Sequence, residues 1–140
     1  MSERSVGQLE EVQVTGSALS NTGLADAEAA SVGTVLAAQI AHRPALRPAE
    51  LLETIPGMVV TQHSGDGKAN QYFLRGFNLD HGSDFANYVD GMPINMVSHG
   101  HGQGYTDLNF LIPELVDRIV YRKGPYYAEA GDFSSAGTAR

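Results

Sequence analysis

The sequence has no cysteine and no tryptophan in its 140 residues. Without cysteine there is no disulfide, no thiolate zinc site and no cysteine nucleophile. The missing thiols do not fix the compartment, since an oxidising one suits such a chain as well as a reducing one. Charge is also sparse, at 18% of residues against a typical ~25%. The balance is negative, with a formal net charge of -7, so the overall field gives no support to nucleic-acid or other phosphate binding. No apolar run approaches the ~18 residues that a membrane helix needs. The opening Met1-Ser2-Glu3-Arg4 lacks the apolar core of a signal peptide. The expectation is either a cytosolic chain or a mature segment with a new initiator Met. Several catalytic signatures are missing as well. There is no Gly-x-Ser-x-Gly elbow. No Lys-Ser/Thr follows Gly100, Gly102 and Gly104, so these are not a P-loop. The carboxylates are scattered and form no evident acid/base couple.

What is present is a loop-rich globular chain, with 16 Gly, 6 Pro and 42% apolar residues. The length suits one domain of roughly 100–200 residues. Residues 1–30 form a flexible leader without aromatics, interrupted by the β-prone island Leu9-Glu10-Glu11-Val12-Gln13-Val14-Thr15-Gly16. That island can pair with a strand but is too short to fold alone. A folded domain is expected from Ser31. Val32 to Leu36 reads as a strand and Ala37 to His42 as a helical turn. Pro48 suits a helix start, and Leu51, Leu52 and Ile55 share one face before Pro56-Gly57 stops it. Met58 to Thr61 and Gln71 to Arg75 read as strands, with Gly76 to Ser83 as a loop. Asp90-Gly91 marks a bend between two strands. Asn95 to Tyr105 is a long Gly/His loop. Asp107 is a good N-cap for a helix through Leu115, with Leu108, Leu111 and Leu115 on one face and Pro113 as a kink. Arg118 to Lys123 is a strand, and the tail from Tyr126 is small, Gly-rich and expected to be cut short. Short strands mixed irregularly with short helices give an α+β domain.

The chemistry concentrates in three polar loops. His99-Gly100-His101-Gly102-Gln103-Gly104-Tyr105 places two histidines at i, i+2 on a glycine-flanked loop, so both can turn toward one ion. His63, Asp66, His81 and Asp84 lie in the other two loops. If the loops meet, they form a nitrogen/oxygen cluster suited to zinc, copper, nickel or a chelated metal. The plainer alternative is that these histidines bond loop backbone. A His-x-His pair also opens the metal set of cupin-type enzymes. Those need a Glu a few residues later, and here the next acid is Asp107. Arg75, Arg118, Arg122 and Lys123 cluster near strand ends, either as ordinary edge charge or as partners for acids on a surrounding protein.

Five short motifs, in order, resemble the plug domain of a TonB-dependent outer-membrane receptor. Glu10-Glu11-Val12-Gln13-Val14-Thr15-Gly16 resembles the TonB box. Glu50-Leu51-Leu52-Glu53-Thr54-Ile55-Pro56-Gly57-Met58-Val59-Val60 is similar to the family's helix, Pro-Gly, Val segment. Phe73-Leu74-Arg75-Gly76-Phe77 resembles its Arg-Gly strand end, and Val89-Asp90-Gly91-Met92-Pro93 its Val-Asp-Gly-x-Pro turn. Asp117-Arg118-Ile119-Val120-Tyr121-Arg122-Lys123-Gly124-Pro125 looks like its last plug strand, with Asp117 in place of Glu and Lys123 where the family usually has Arg.

The resemblance implies a plug over residues 31–140: a small mixed β-sheet with short helices and long apical loops. It implies transport, not catalysis. Such a plug fills a roughly 22-stranded C-terminal β-barrel in the bacterial outer membrane, as a monomer, with its N-terminus in the periplasm. That barrel needs more residues than this chain has. The segment Leu9, Glu10, Glu11, Val12, Gln13, Val14, Thr15 would pair by strand addition with TonB of the TonB-ExbB-ExbD system. Residues 62–71, 77–86 and 95–105 would face the substrate. They offer His63, Asp66, His81, Asp84, His99, His101, Gln103 and Tyr105 to a small-molecule cargo, with His99 and His101 as metal ligands. Arg75, Arg118 and Lys123 would pair with the barrel wall. No cofactor is required, and a metal or siderophore-type metal chelate would be bound as cargo. Two alternatives stand beside this: a free-standing metal- or small-ligand-binding domain built on the His-Gly-His-Gly loop, and a cupin-like metalloenzyme.

Overall fold

The computed structural model describes residues 26–62 and 67–140. The segment Leu9 to Thr15, along with His63 and Asp66, lies outside the described residues. Two sheets carry the fold. The larger joins Asp26–Ala29 (β1), Val32–Leu36 (β2), Phe85–Val89 (β6), Met92–Pro93 (β7), Arg118–Lys123 (β8) and Gly137–Ala139 (β9) in the order β1-β2-β8-β9-β6-β7. Met58–Thr61 (β3), Gln71–Leu74 (β4) and Phe77–Asn78 (β5) form an antiparallel three-stranded sheet. β1 occupies the last residues of the leader segment and pairs with β2.

Strand periodicity decides what is buried. In β8, alternate residues Ile119, Tyr121 and Lys123 are buried. Antiparallel pairing sets Val35 of β2 opposite Ile119 and Gly33 opposite Tyr121, so both strands present one inner face. Lys123 is therefore drawn inside by register, despite its charge. β9 is short and was not evident in the Gly-rich tail. It threads between β8 and β6, antiparallel to one and parallel to the other. Gly137 (φ 147°) makes this possible, because a side chain there would collide with the Arg122 carbonyl oxygen.

The expected helical turn is present as Ala37–His42 (α1). The Gln39 side chain accepts the Leu36 amide proton (2.9 Å) at its start. Pro48–Thr54 is a 3₁₀ helix, with Leu51, Leu52 and Ile55 buried as the helical face required. Glu50 accepts the amide of Leu46 (2.8 Å), tightening the entry. Glu53 bonds the Val60 amide (2.9 Å) and pairs with Arg43 (2.6 Å), fixing β3 beside this helix.

Two expectations need correction. The loop expected over Gly76 to Ser83 contains β5, formed because Arg75 (φ 54°) and Gly76 (φ 79°) make a tight turn that folds the chain back on β4. Asp90 (φ 51°) and Gly91 (φ 81°) make the same turn between β6 and β7, as their sequence suggested. The helix expected from Asp107 to Leu115 does not form; only Pro113–Leu115 makes a 3₁₀ turn. Asp107 does accept the Asn109 amide (2.9 Å), but this closes a local Asx turn without a helix behind it. Pro113 has no amide proton to donate and disfavours helix at Ile112.

The core gathers Val35, Ile55, Tyr72, Leu79, Phe85, Leu108 and Tyr121 between the sheets and the 3₁₀ helix. The loops 67–70, 79–84 and 94–106 converge at one side of it.

Candidate functional site

The long loop from Asn95 to Tyr105 is fastened at its base. The Met96 amide donates to the Tyr105 carbonyl (3.0 Å) and the Gly104 amide to the Met96 carbonyl (2.7 Å). Asn95 links this base to the neighbouring loop. Its Oδ1 accepts the Asn87 amide (2.7 Å), while its Nδ2 faces the carbonyls of Gly82 (2.9 Å), Phe85 (3.0 Å) and Gly104 (3.0 Å). The Thr106 amide adds a bond to the His81 carbonyl (2.8 Å). The loop is thus held by long-range polar contacts, which its glycine-rich sequence does not disclose.

Tyr105 lies at the centre of the histidine-rich region. Its hydroxyl accepts the Ala69 amide proton (2.6 Å), tying the first polar loop to the third. His99 stacks on its ring, with centroids 4.0 Å apart and planes within 14°. His81 and His101 flank it at 5.5 and 5.7 Å. Of the sequence-selected residues, His81, His101, Gln103 and Tyr105 line one shallow crevice with Asp80 and Ser83. The described parts of the three polar loops do meet.

Within that crevice the histidines differ. His81 is 3% exposed. Its Nδ1 faces the Ala69 carbonyl (2.9 Å) and the Asn70 carbonyl (3.2 Å). Carbonyl oxygens only accept, so Nδ1 carries the proton, and in the neutral ring Nε2 is the nitrogen with the lone pair. Nε2 is 3.9 Å from an Asp80 carboxylate oxygen. The exposed His101 ring meets His81 edge-on, at 4.5 Å and 74°. Asp80, His81 and His101 each offer a ligand atom, all within 4.8 Å of one another. His99 has another role in this geometry: its Nδ1 accepts the His101 amide proton (3.1 Å).

Asp84 is tied elsewhere. The Ser135 hydroxyl bonds its side chain and the Ala136 amide bonds its carbonyl, joining this loop to the tail. Asp80 and Asn95 were not singled out by the sequence. The only signal for Asp80 was its place beside His81, and Asn95 had none.

The cations fall in a different region. Arg75 reaches the Ala30 carbonyl (3.1 Å), which Lys123 also approaches (3.4 Å). Lys123 lies 5.1 Å from the centre of the Tyr121 ring. Burial pushes the Lys123 amine below the ordinary lysine range, and the Arg75 charge adds to the shift. Among the described residues neither cation has a carboxylate within salt-bridge distance, whereas Arg122 pairs with Glu129 (2.6 Å). Arg118 is exposed.

Comparison with known proteins agrees with this arrangement of sheets and loops. Residues 25–138 match the family model described as TonB-dependent Receptor Plug Domain. The chain belongs to the TonB-dependent receptor plug domain family. Among solved structures, this plug is similar to the ferric enterobactin receptor PfeA of Pseudomonas aeruginosa in complex with enterobactin, at 26% identity and TM-score 0.58 over 81% of this chain. The copper transporter OprC shares the fold at 23% identity and TM-score 0.59 over 83% of this chain. So does the siderophore receptor PirA of Acinetobacter baumannii, at 22% identity and TM-score 0.59 over 79%. The plug spans only 16–17% of the length of those chains. No helix among its described residues is long and apolar enough to cross a membrane.

Proposed function

We propose that this plug is the gate and cargo-reading module of an active transporter in the bacterial outer membrane, for a nutrient that carries a metal, of the siderophore-chelate type. The observation that carries the reading is the convergence of the polar loops on one histidine-rich crevice in a plug-domain fold. The similar receptors named for enterobactin, siderophores and copper support a metal-bearing cargo.

In this reading a surrounding barrel completes the pocket above His81, His99, His101, Gln103 and Tyr105. His63 and Asp66 are assigned to the same cargo from the sequence alone. Arg75, Arg118 and Lys123 face carboxylates on the barrel wall. Arg75 and Arg118 support this most directly, being exposed at the plug surface. Lys123 is 4% exposed, with its amine toward the Ala30 carbonyl (3.4 Å), and reaches the wall only if that contact shifts. A Lys gives a point charge there, where an Arg would give a fork.

Leu9 to Thr15 is the coupling segment for TonB, used by strand addition. The test is Val12→Pro or Val14→Pro in the full receptor. Proline removes an amide donor from the added strand. TonB-dependent uptake should fall to background while cargo affinity at the cell surface stays unchanged. Loss of both together would contradict the assignment.

A further inference from the structure

We propose that Asp80, His81 and His101 form a direct binding site for a divalent transition-metal ion, with His99 positioning the loop without acting as a ligand. As a metal site this stands on side-chain geometry; as a statement about cargo it rests on the transport reading above.

His81 is the anchor. It is buried, and two carbonyls hold its Nδ1. Metal-ligating histidines are commonly held this way, the far nitrogen tied to a carbonyl or carboxylate so that the near one keeps its lone pair and its direction. Asp80 and His101 are the movable arms, both exposed. Four-coordinate zinc has bonds of about 2.1 Å, which puts neighbouring donor atoms about 3.4 Å apart. The Asp80–His81 separation of 3.9 Å is slightly wider, and the full set lies within 4.8 Å. Closing on an ion requires the exposed arms to move by roughly 1 Å while the buried anchor stays in place.

The loop backbone is fixed by its own bonds, and the movement falls to the exposed side chains alone. His101 sits in a tight turn, with the Gly102 amide on the His99 carbonyl (3.1 Å) and the His101 amide on the His99 imidazole (3.1 Å). His99 in turn is stacked on Tyr105. That stack occupies His99 as a buttress and leaves the His101 ring directed at His81. Gly102 lies directly over Asp80: a Cβ at that position would be 4.0 Å from the Asp80 carboxylate.

Two imidazoles and one carboxylate, with no sulfur, select zinc, nickel, copper(II) or iron(II) over calcium, magnesium or copper(I). Three protein ligands also leave positions open for water or for donor atoms of a small chelator. An ion held this incompletely can arrive with part of its own ligand shell and leave again, which suits cargo better than a permanent structural metal.

The test uses the full chain that its gene encodes, without a polyhistidine tag, and nickel and zinc salts as probes. Calorimetry should show one ion per chain. Copper(II) bound at the same stoichiometry should show hyperfine coupling to two imidazole nitrogens in its electron paramagnetic resonance spectrum. His81 is buried and its replacement could unfold the chain, so the exposed arms carry the comparison. His101→Ala and Asp80→Asn should each weaken nickel binding at least about tenfold, while His42→Ala leaves it unchanged. Absence of stoichiometric binding, or wild-type affinity in both arm variants, overturns the site. Stoichiometric binding without TonB-dependent uptake of the ion supports the site and removes only its reading as cargo.

Discussion

Two adjacent segments of this plug behave in opposite ways. Residues 95–106 look loose in sequence, with three glycines and no apolar period, yet they are held by a ladder at their base and by the Asn95 side chain. Residues 107–115 look like a helix, with Leu108, Leu111 and Leu115 at helical spacing, yet they form an irregular stretch ending in a single 3₁₀ turn. Leu108 is buried, whereas Phe110, Ile112 and Leu115 are exposed. The contrast separates two sources of order. A local pattern fixes structure only if the far side of the molecule accepts its face. Long-range polar contacts can fix a segment that has no local pattern at all.

The firmest way to break the contrast is Asn95→Ala. Four polar contacts disappear and their backbone partners are left around a gap. Nδ2 has two hydrogens to share among its three carbonyls, so with the Oδ1 bond about three full bonds are lost; at about 1 kcal/mol net each, the expected loss is about 3 kcal/mol. Urea denaturation checks it, and a loss under about 1 kcal/mol would mean that the loop is held by something else. Gly104→Ala should cost less. Gly104 has φ 80°, and a Cβ there would come within 2.6 Å of the Phe133 ring and 2.8 Å of the Ser83 Cα. The left-handed backbone and the overlap together should cost about 2 kcal/mol. The same denaturation reads this, and a neutral result would show the loop base to be more pliant than its bonds suggest.

How much could be read beforehand follows the same division. Val32–Leu36 and Ala37–His42 were legible because β-branched and helix-favouring residues fall where the tertiary structure wants them. The Asp90-Gly91 bend was legible because few residue pairs tolerate two successive positive φ angles. His81, His101, Gln103 and Tyr105 could be chosen as candidates because polar loops carry few such side chains. Their roles could not. The groups that orient His81 are the carbonyls of Ala69 and Asn70, and every residue has a carbonyl. The loop pattern selects Asp84 and passes over Asp80, and only the Asp84 bond to Ser135, far along the chain, takes Asp84 out of the cluster. β9 was hidden because Gly-Thr-Ala has weak strand propensity and gains order from the two strands it lies between.

The smallest effect is the most informative about the irregular segment. If Leu108, Leu111 and Leu115 shared a buried helical face, Leu115→Ala would remove a core side chain and cost about 2–5 kcal/mol. In the fold described, Leu115 is 77% exposed, and its truncation in this chain should change stability by no more than about 0.5 kcal/mol. Pro113 explains why the helix does not form, since helix through it would lose a bond and crowd the preceding turn. It does not explain why Leu115 faces outward, because a broken helix can still bury its last residue. The orientation follows from what comes next. The Val116 amide closes on the Pro113 carbonyl (3.1 Å) and the Ala37 amide takes the Asp117 carbonyl (2.7 Å). These bonds commit the chain to the β8 register only two residues after Leu115, leaving no length in which to turn its side chain inward. Measured loss above about 2 kcal/mol would place Leu115 in the core and remove the distinction between the two segments.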